Sequence, residues 1–244
     1  MLHTILKLLF PSPCLSCGYL SKPLCDQCFM LLEFSPHVRS LAEPEGRRLS
    51  PLGPLKVCCG MYYSGGADGS GGGILAKLIH PFKYKHQAEI FRVFVPHMRE
   101  ALKLLCEPRD LVLVPVPLHK SRMLERGYNQ AELLSKWVAR HLGCQTAALL
   151  ERVRDTGHQA TLAKRAERRK NMHGAFRIRS ELLKIADSAA LASLKNSQIV
   201  LVDDIVTSGS TLLACRSALA EAGIKNVSAL TLADREKTPQ NPWD

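Results

Sequence analysis

The segment Gln198–Leu213, QIVLVDDIVTSGSTLL, constrains the fold of this chain more than any other. Ile199-Val200-Leu201-Val202 is an unbroken apolar run rich in β-branched residues, which predicts a strand buried on both faces of a parallel sheet. Asp203 and Asp204 stand at its carboxyl end. A small-residue turn follows, Thr207-Ser208-Gly209-Ser210-Thr211, and a helix from near Ser210 to Ala222 is stopped by Gly223. In open α/β sheets, ligands bind outside the carboxyl ends of the strands. The turn offers backbone N–H groups and four hydroxyls beside a helix N-terminus, a cradle for a phosphate monoester. The two carboxylates can accept hydrogen bonds from a vicinal diol. A phosphate at one end and a diol at the other describe ribose 5-phosphate. A plain capped turn explains the pattern poorly, because one acid would serve as the cap.

The second constraint is Cys14-Leu15-Ser16-Cys17 followed by Cys25-Asp26-Gln27-Cys28. Two C-x-x-C pairs can each turn their thiolates toward one point, as a zinc knuckle does. Cys14, Cys17, Cys25 and Cys28 would form the closed tetrahedral shell of a structural Zn²⁺ site, with no open position for catalysis. Gly18 allows the tight turn after the first pair. The competing reading is buried or redox-active cysteine, but a thioredoxin-like motif needs one pair in a βαβ setting that is absent here. The chain has nine cysteines, an odd number, with five scattered. That is no disulfide framework and fits a reducing, cytoplasmic setting. Cys58, Cys59, Cys106, Cys144 and Cys215 read as packing residues.

Charge matters once it is located. The net charge is +11. Lys77–Arg179 holds 21 basic against 9 acidic residues, so the whole positive excess sits in the middle of the chain. Such a field favours a polyanion, either a phosphorylated small molecule or nucleic acid, over a merely solubilising surface. Aromatic residues make up only 6%, which argues against recognition by base stacking. No stretch reaches the roughly 18 consecutive apolar residues of a membrane span. Met1–Phe10 is apolar but lacks a basic leader and a small-residue cleavage site, and it reads as a short amphipathic helix docked on the body. Glu33–Pro54 reads as a loop-rich connector. Gly65–Gly73 lacks the GK[ST] ending of a P-loop and reads as a flexible loop between a strand, Val57–Tyr63, and a helix, Ile74–His80.

In the middle segment, Asp110–Pro117 predicts a second buried strand ending in prolines, then a rigid loop, Leu118-His119-Lys120-Ser121-Arg122. Arg126-Gly127-Tyr128-Asn129-Gln130 opens a helix with Ala131, Leu134, Val138 and Leu142 on its apolar face. Seven basic residues lie between Arg152 and Lys170, a pattern suited to a hood over a diphosphate, a track for a nucleic-acid backbone, or only a solvated helix face.

Residues Val200–Thr211, VLVDDIVTSGST, resemble the motif by which type I phosphoribosyltransferases bind phosphoribosyl diphosphate (PRPP). The wider series resembles the ComF family. Its matching elements are the four-cysteine knuckle, IHPFKYK at Ile79–Lys85, VPVPL, R-x3-RGYNQ, R-x4-Q-x2-L with R-x2-N-x2-GAF, and the PRPP motif, in family order across nearly the whole chain. The resemblance implies a type I phosphoribosyltransferase α/β fold, a parallel sheet flanked by helices, over roughly residues 100–235 with a small zinc module ahead of it. The division expected is 1–60 for the zinc module and connector, 61–100 for a linking strand and helix, and 101–244 for the phosphoribosyltransferase-like part. Expected core strands are Asp110–Val116, a strand near Ala147–Glu151, Ile199–Asp203 and Val227–Ala233.

By the same resemblance, Asp203 and Asp204 would hold the ribose hydroxyls and Thr207, Ser208, Gly209, Ser210 and Thr211 the 5-phosphate. Leu118, His119, Lys120, Arg122 and Arg126 would face the pyrophosphate. Arg152, Arg154, Gln159, Arg165, Arg168 and Asn171 would form the hood. Mg²⁺ would accompany PRPP. The family implies natural transformation, with single-stranded DNA and DNA-uptake proteins as partners at the cytoplasmic face of the inner membrane. Two readings stay open: a PRPP-binding accessory of DNA uptake, or an active phosphoribosyltransferase with an unknown acceptor. A purine-biosynthetic glutamine amidophosphoribosyltransferase is not expected, since Leu2 stands where its cysteine would follow Met1.

Overall fold

The computed structural model describes residues 12–42, 52–63, 73–84, 92–105, 111–155, 172, 174–183 and 189–235. Met1–Phe10, Cys106 and the hood positions Gln159, Arg165, Arg168 and Asn171 lie outside them. Among the described residues no helix is long and apolar enough to cross a membrane.

The N-terminal part holds a short hairpin, β1 (Ser12–Pro13) with β2 (Leu20–Ser21), and a helix α1 (Asp26–Met30) capped by the Cys25 side chain. Then come β3 (His37–Leu41), β4 (Leu55–Tyr62), α2 (Ile74–Tyr84) and α3 (Val95–Lys103). β5 (Leu111–Pro115) leads through α4 (Lys120–Arg126) and α5 (Gln130–Leu142) to β6 (Gln145–Thr146). β7 (Leu150–Arg152), β8 (Phe176–Ile178), α6 (Ser180–Leu183) and α7 (Ala189–Asn196) precede β9 (Gln198–Val206), α8 (Ser210–Glu221) and β10 (Val227–Asp234).

One six-stranded sheet runs β3-β4-β10-β9-β5-β6, parallel except for β3. Its central strands read as continuous apolar runs because helices cover both faces. Ile199, Val200, Leu201 and Val202 are all fully buried, alternately joining the clusters on either side of the sheet. α5 buries Ala131, Leu134 and Val138, as its period predicts.

Several sequence expectations are corrected. Glu33–Pro54 is not wholly loop, since β3 pairs antiparallel with β4 along His37–Leu41. Its sequence, HVRSL, alternates half-buried and exposed side chains, as an edge strand does, and gives little apolar signal. β4 lies inside the sheet, so the sheet extends well N-terminal to the expected boundary near residue 100. The strand near Ala147–Glu151 is not a core strand. β7 pairs antiparallel with β8 in a separate ribbon, and the core edge is β6, held by Val112 and Leu113. Lys120–Arg126 is helical rather than loop, because His119 caps it by accepting from the Ser121 amide. α2 continues a turn beyond His80, through Pro81.

Candidate functional site

The strand order supplies a crevice. From β5 the chain crosses to β6 on one side, and from β9 it crosses to β10 on the other. The connections therefore diverge between β5 and β9, the switch point at which open α/β sheets bind ligands. The ladder between them ends at Pro115 opposite Val202, followed by the Val116 amide donating to the Val202 carbonyl. β9 itself continues to Val206, paired only with β10. Asp203 and Asp204 thus lie inside β9, beyond the last β5 pairing.

The turn after β9 is tightly built. Gly209 sits at φ +73°, and a Cβ there would collide with the Leu41 side chain at the end of β3. No side chain caps α8 by the usual hydrogen bond. Only the Ser208 hydroxyl approaches the Ser210 amide, at 3.4 Å, with the two hydroxyls 3.0 Å apart. Helix-start amides are left for an anion, as a phosphate site requires. Ser208 and Ser210 are buried, while Thr207 and Thr211 are half-buried.

The two acids differ. Asp203 Oδ1 accepts from the Asp204 amide at 2.9 Å, and Asp204 Oδ1 accepts from the Ile205 amide at 2.8 Å. Asp204 Oδ2 forms an ion pair with Lys83 Nζ at 2.8 Å. Burial works against the charge on both. For Asp204 the Lys83 ammonium more than offsets it, and the carboxyl is held below the usual range. For Asp203, burial and the Asp204 charge push the carboxyl up to about 8.

The remaining predicted residues divide. Arg152 is driven downward by burial and by the adjacent Arg122 guanidinium, with Asp155 and Asp203 opposing. Arg122 and Asp203 are thus both within electrostatic range of Arg152, although Arg122 comes from α4 and Arg152 from β7. Arg152 also lies over the Phe176 ring, 5.6 Å from its centre. The Ser121 hydroxyl donates to Asp155 at 2.7 Å and lies 2.9 Å from His119 Nδ1, joining the start of α4 to the residues that follow β7. Leu118 and His119 are half-buried, and Lys120 is exposed. Arg154 follows β7, its carbonyl accepting from Arg152 Nε at 3.4 Å. Arg126 is buried, and its Nη1 donates to Gln130 Oε1 at 3.2 Å. Sequence reasoning overlooked Lys83 and Asp155. Lys83 stood in the quoted Ile79–Lys85 motif without a role.

The four cysteine sulfurs lie within 4.8 Å of one another. A tetrahedral Zn²⁺ with bonds of about 2.3 Å needs sulfurs about 3.8 Å apart, so small adjustments close the shell. Cys17 and Cys25 are already 3.7 Å apart. The Cys25 amide donates to Cys14 Sγ and the Cys28 amide to Cys25 Sγ, each at 3.5 Å. Such amides stabilise thiolate charge, as a metal–thiolate site requires. The cluster is anchored on the body, for Phe34 stacks on His97 with ring centres 3.4 Å apart.

His37, Cys59 and Asp234 form another close group. Here Arg39 Nη1 already bonds Asp234 Oδ1 at 2.7 Å, and burial pushes the Cys59 thiol up to about 12. A metal would have to displace a guanidinium and ionise that thiol. The group instead pins β3 to the end of β10.

Residues 129–243 match the phosphoribosyl transferase domain family. The chain is 32% identical over 168 residues to competence protein F of Haemophilus influenzae, a match covering 65% of this chain and 67% of that protein. It is 32% identical over 166 residues to DNA utilization protein YhgH of Escherichia coli, covering 65% and 66%. It is 28% identical over 160 residues to competence protein ComFC of Bacillus subtilis, covering 65% and 59%. The matches thus span about two thirds of each relative's length or less. This chain belongs to the competence protein F (ComF) family and carries a phosphoribosyl transferase domain.

Proposed function

We propose that this chain binds PRPP with Mg²⁺ in the crevice between β5 and β9 and serves in the handling of incoming DNA. The observation that carries the reading is the placement of Asp203, Asp204 and the Thr207–Thr211 turn at the switch point of the sheet, ahead of a helix with no side-chain cap. Asp203 and Asp204 accept the ribose hydroxyls. Thr207, Ser208, Gly209, Ser210 and Thr211 surround the 5-phosphate. Arg122 and Arg152, with Leu118, His119 and Lys120 beside them, face the diphosphate, and the remaining hood residues close over it. Arg126 acts from its buried position through charge.

Mg²⁺ would arrive with the ligand beside Asp203 and Asp204 and would supply positive charge against the diphosphate. The protein's own groups orient the sugar and stabilise the leaving charge. Zn²⁺ on Cys14, Cys17, Cys25 and Cys28 is structural. The names of the relatives, competence protein and DNA utilization protein, and the basic middle of the chain support single-stranded DNA as a polyanionic partner beside DNA-uptake proteins, on the cytoplasmic side of the membrane. A second reading, turnover of PRPP with an acceptor unrelated to DNA, is favoured by the completeness of the acid-and-turn cradle.

Calorimetry with PRPP and Mg²⁺ tests the site. Binding should occur and fall at least roughly tenfold in the double variant Asp203→Asn/Asp204→Asn, since the Asp204 carboxylate gives charge-assisted hydrogen bonds and the Asp203 carboxyl is lost with it. Binding indifferent to that change would end the reading. A gel shift with single-stranded DNA separates the two functions, because no shift even at about 50 mM salt leaves only small-molecule chemistry.

A further inference from the structure

Lys83 enters the crevice from α2, outside the stretch that matches the phosphoribosyl transferase domain. Its placement is over-determined. The Tyr128 hydroxyl donates to the Phe82 carbonyl, and Gln130 Nε2 approaches the Lys83 carbonyl at 3.5 Å. These contacts occupy carbonyls that the end of a helix leaves without partners. Phe82 is fully buried, with its ring 6.3 Å from that of Tyr128. Asn129 Nδ2 donates to the Val116 carbonyl at 3.0 Å, tying the same corner to the end of β5. The Arg126–Gln130 corner, which from sequence reads as the opening of a helix, thus sets the position of the end of α2 and of Lys83 with it.

The pair it forms is partly enclosed, with the Lys83 and Asp204 side chains 25% and 12% exposed. Asp204 Oδ1 is taken by the Ile205 amide, so Oδ2 is the oxygen held by the lysine. A sugar diol that claims this carboxylate arrives as a neutral donor and leaves the ammonium needing a new anion. A ligand with a diphosphate beside the diol brings one. An ammonium on a flexible four-carbon stem can make that change of partner, whereas a guanidinium fork is held by its geometry.

We infer that Lys83 is a diphosphate-contacting residue that holds Asp204 while the crevice is empty and passes to the ligand's diphosphate when the ribose hydroxyls take Asp204. The inference rests on the PRPP reading above and deepens it. It differs from a bracing role in one respect: it distinguishes ligands with a diphosphate from those without.

The test is calorimetry on the full-length, zinc-loaded protein with PRPP·Mg²⁺ and, separately, ribose 5-phosphate. Lys83→Met should weaken PRPP roughly 10- to 100-fold, the scale of a lost charge-assisted contact, while ribose 5-phosphate stays within about threefold or binds tighter. Lys83→Arg should recover only part of the PRPP affinity. Equal loss for both ligands makes Lys83 a brace and overturns the proposal, as does no loss for either. Wild-type protein that binds neither ligand removes the PRPP reading itself, an outcome distinct from both. Should the Lys83→Met protein fail to fold, ¹³C-dimethylated lysines of the wild type report instead. The Lys83 resonance, assigned with Lys83→Arg, must take a different position with PRPP·Mg²⁺ than with ribose 5-phosphate, and the same position with both ligands overturns the proposal.

Discussion

Asp203 and Asp204 are joined by one peptide bond yet lean toward opposite protonation states, because only one of them has a lysine. The consequence for stability has a definite sign. In the unfolded chain Asp203 releases its proton near the ordinary value of 3.8, while in the folded chain it retains it up to about 8. The folded state binds more protons between these values, so the stability due to neutral Asp203 is complete below 3.8 and is lost as the pH rises through 8. Asp203→Asn is neutral at every pH. Its melting temperature should therefore gain on the wild type steadily across that window, and parallel melting curves would show that Asp203 is not raised. Gly209 is a second residue-scale case. Gly209→Ala must hold a left-handed φ, at about 1–2 kcal/mol, and push aside Leu41. Urea unfolding should show that loss. The double variant with Leu41→Ala should relieve the contact but leave the backbone strain.

At the scale of elements, β3 shows what a non-local ladder hides. Its five residues look like connector in sequence, yet Arg39 reaches a nearly fully buried Asp234 at the end of β10. Arg39→Met leaves that carboxylate buried without its guanidinium and should cost roughly 3 kcal/mol in urea unfolding, the scale for one broken partner in a buried pair. A change under about 0.5 kcal/mol would place the pair among surface ion pairs instead. The ribbon of β7 and β8 was half legible. Its apolar residues announce a strand at Leu150, but only the pairing with Phe176–Ile178 shows that it forms a separate ribbon rather than extending the core sheet. The cysteine module was the most legible element, since two C-x-x-C pairs carry their geometry in their spacing. Purified protein should contain about one zinc per chain by metal analysis, and Cys25→Ser should lose nearly all of it.

For the whole molecule, charge and topology act together. The positive excess lies wholly between Lys77 and Arg179. The crevice between β5 and β9 is flanked by Lys83, Arg122 and Arg152, all from that stretch. If single-stranded DNA follows this surface, its affinity should drop steeply with salt. With about five phosphate contacts, log K should fall with log salt at a slope near −3.5, at about 0.7 per phosphate for single strands. Competition by PRPP·Mg²⁺ in the same gel shift would show whether nucleic acid and sugar diphosphate share the crevice.

The sequence by itself determined the central strand, its acids, the small hydroxyl-rich turn and the following helix, because all of these arise from neighbours along the chain. The thiol cluster was determined in the same way, since a loop of a few residues must return its cysteines to one point. Tertiary structure decided what those groups meet. No period or spacing indicates that Lys83 reaches Asp204, that Leu41 closes over Gly209, or that Arg122 comes within electrostatic range of Arg152. Each contact depends on strand order and helix docking, and burial converts that proximity into unequal charge on two adjacent carboxylates.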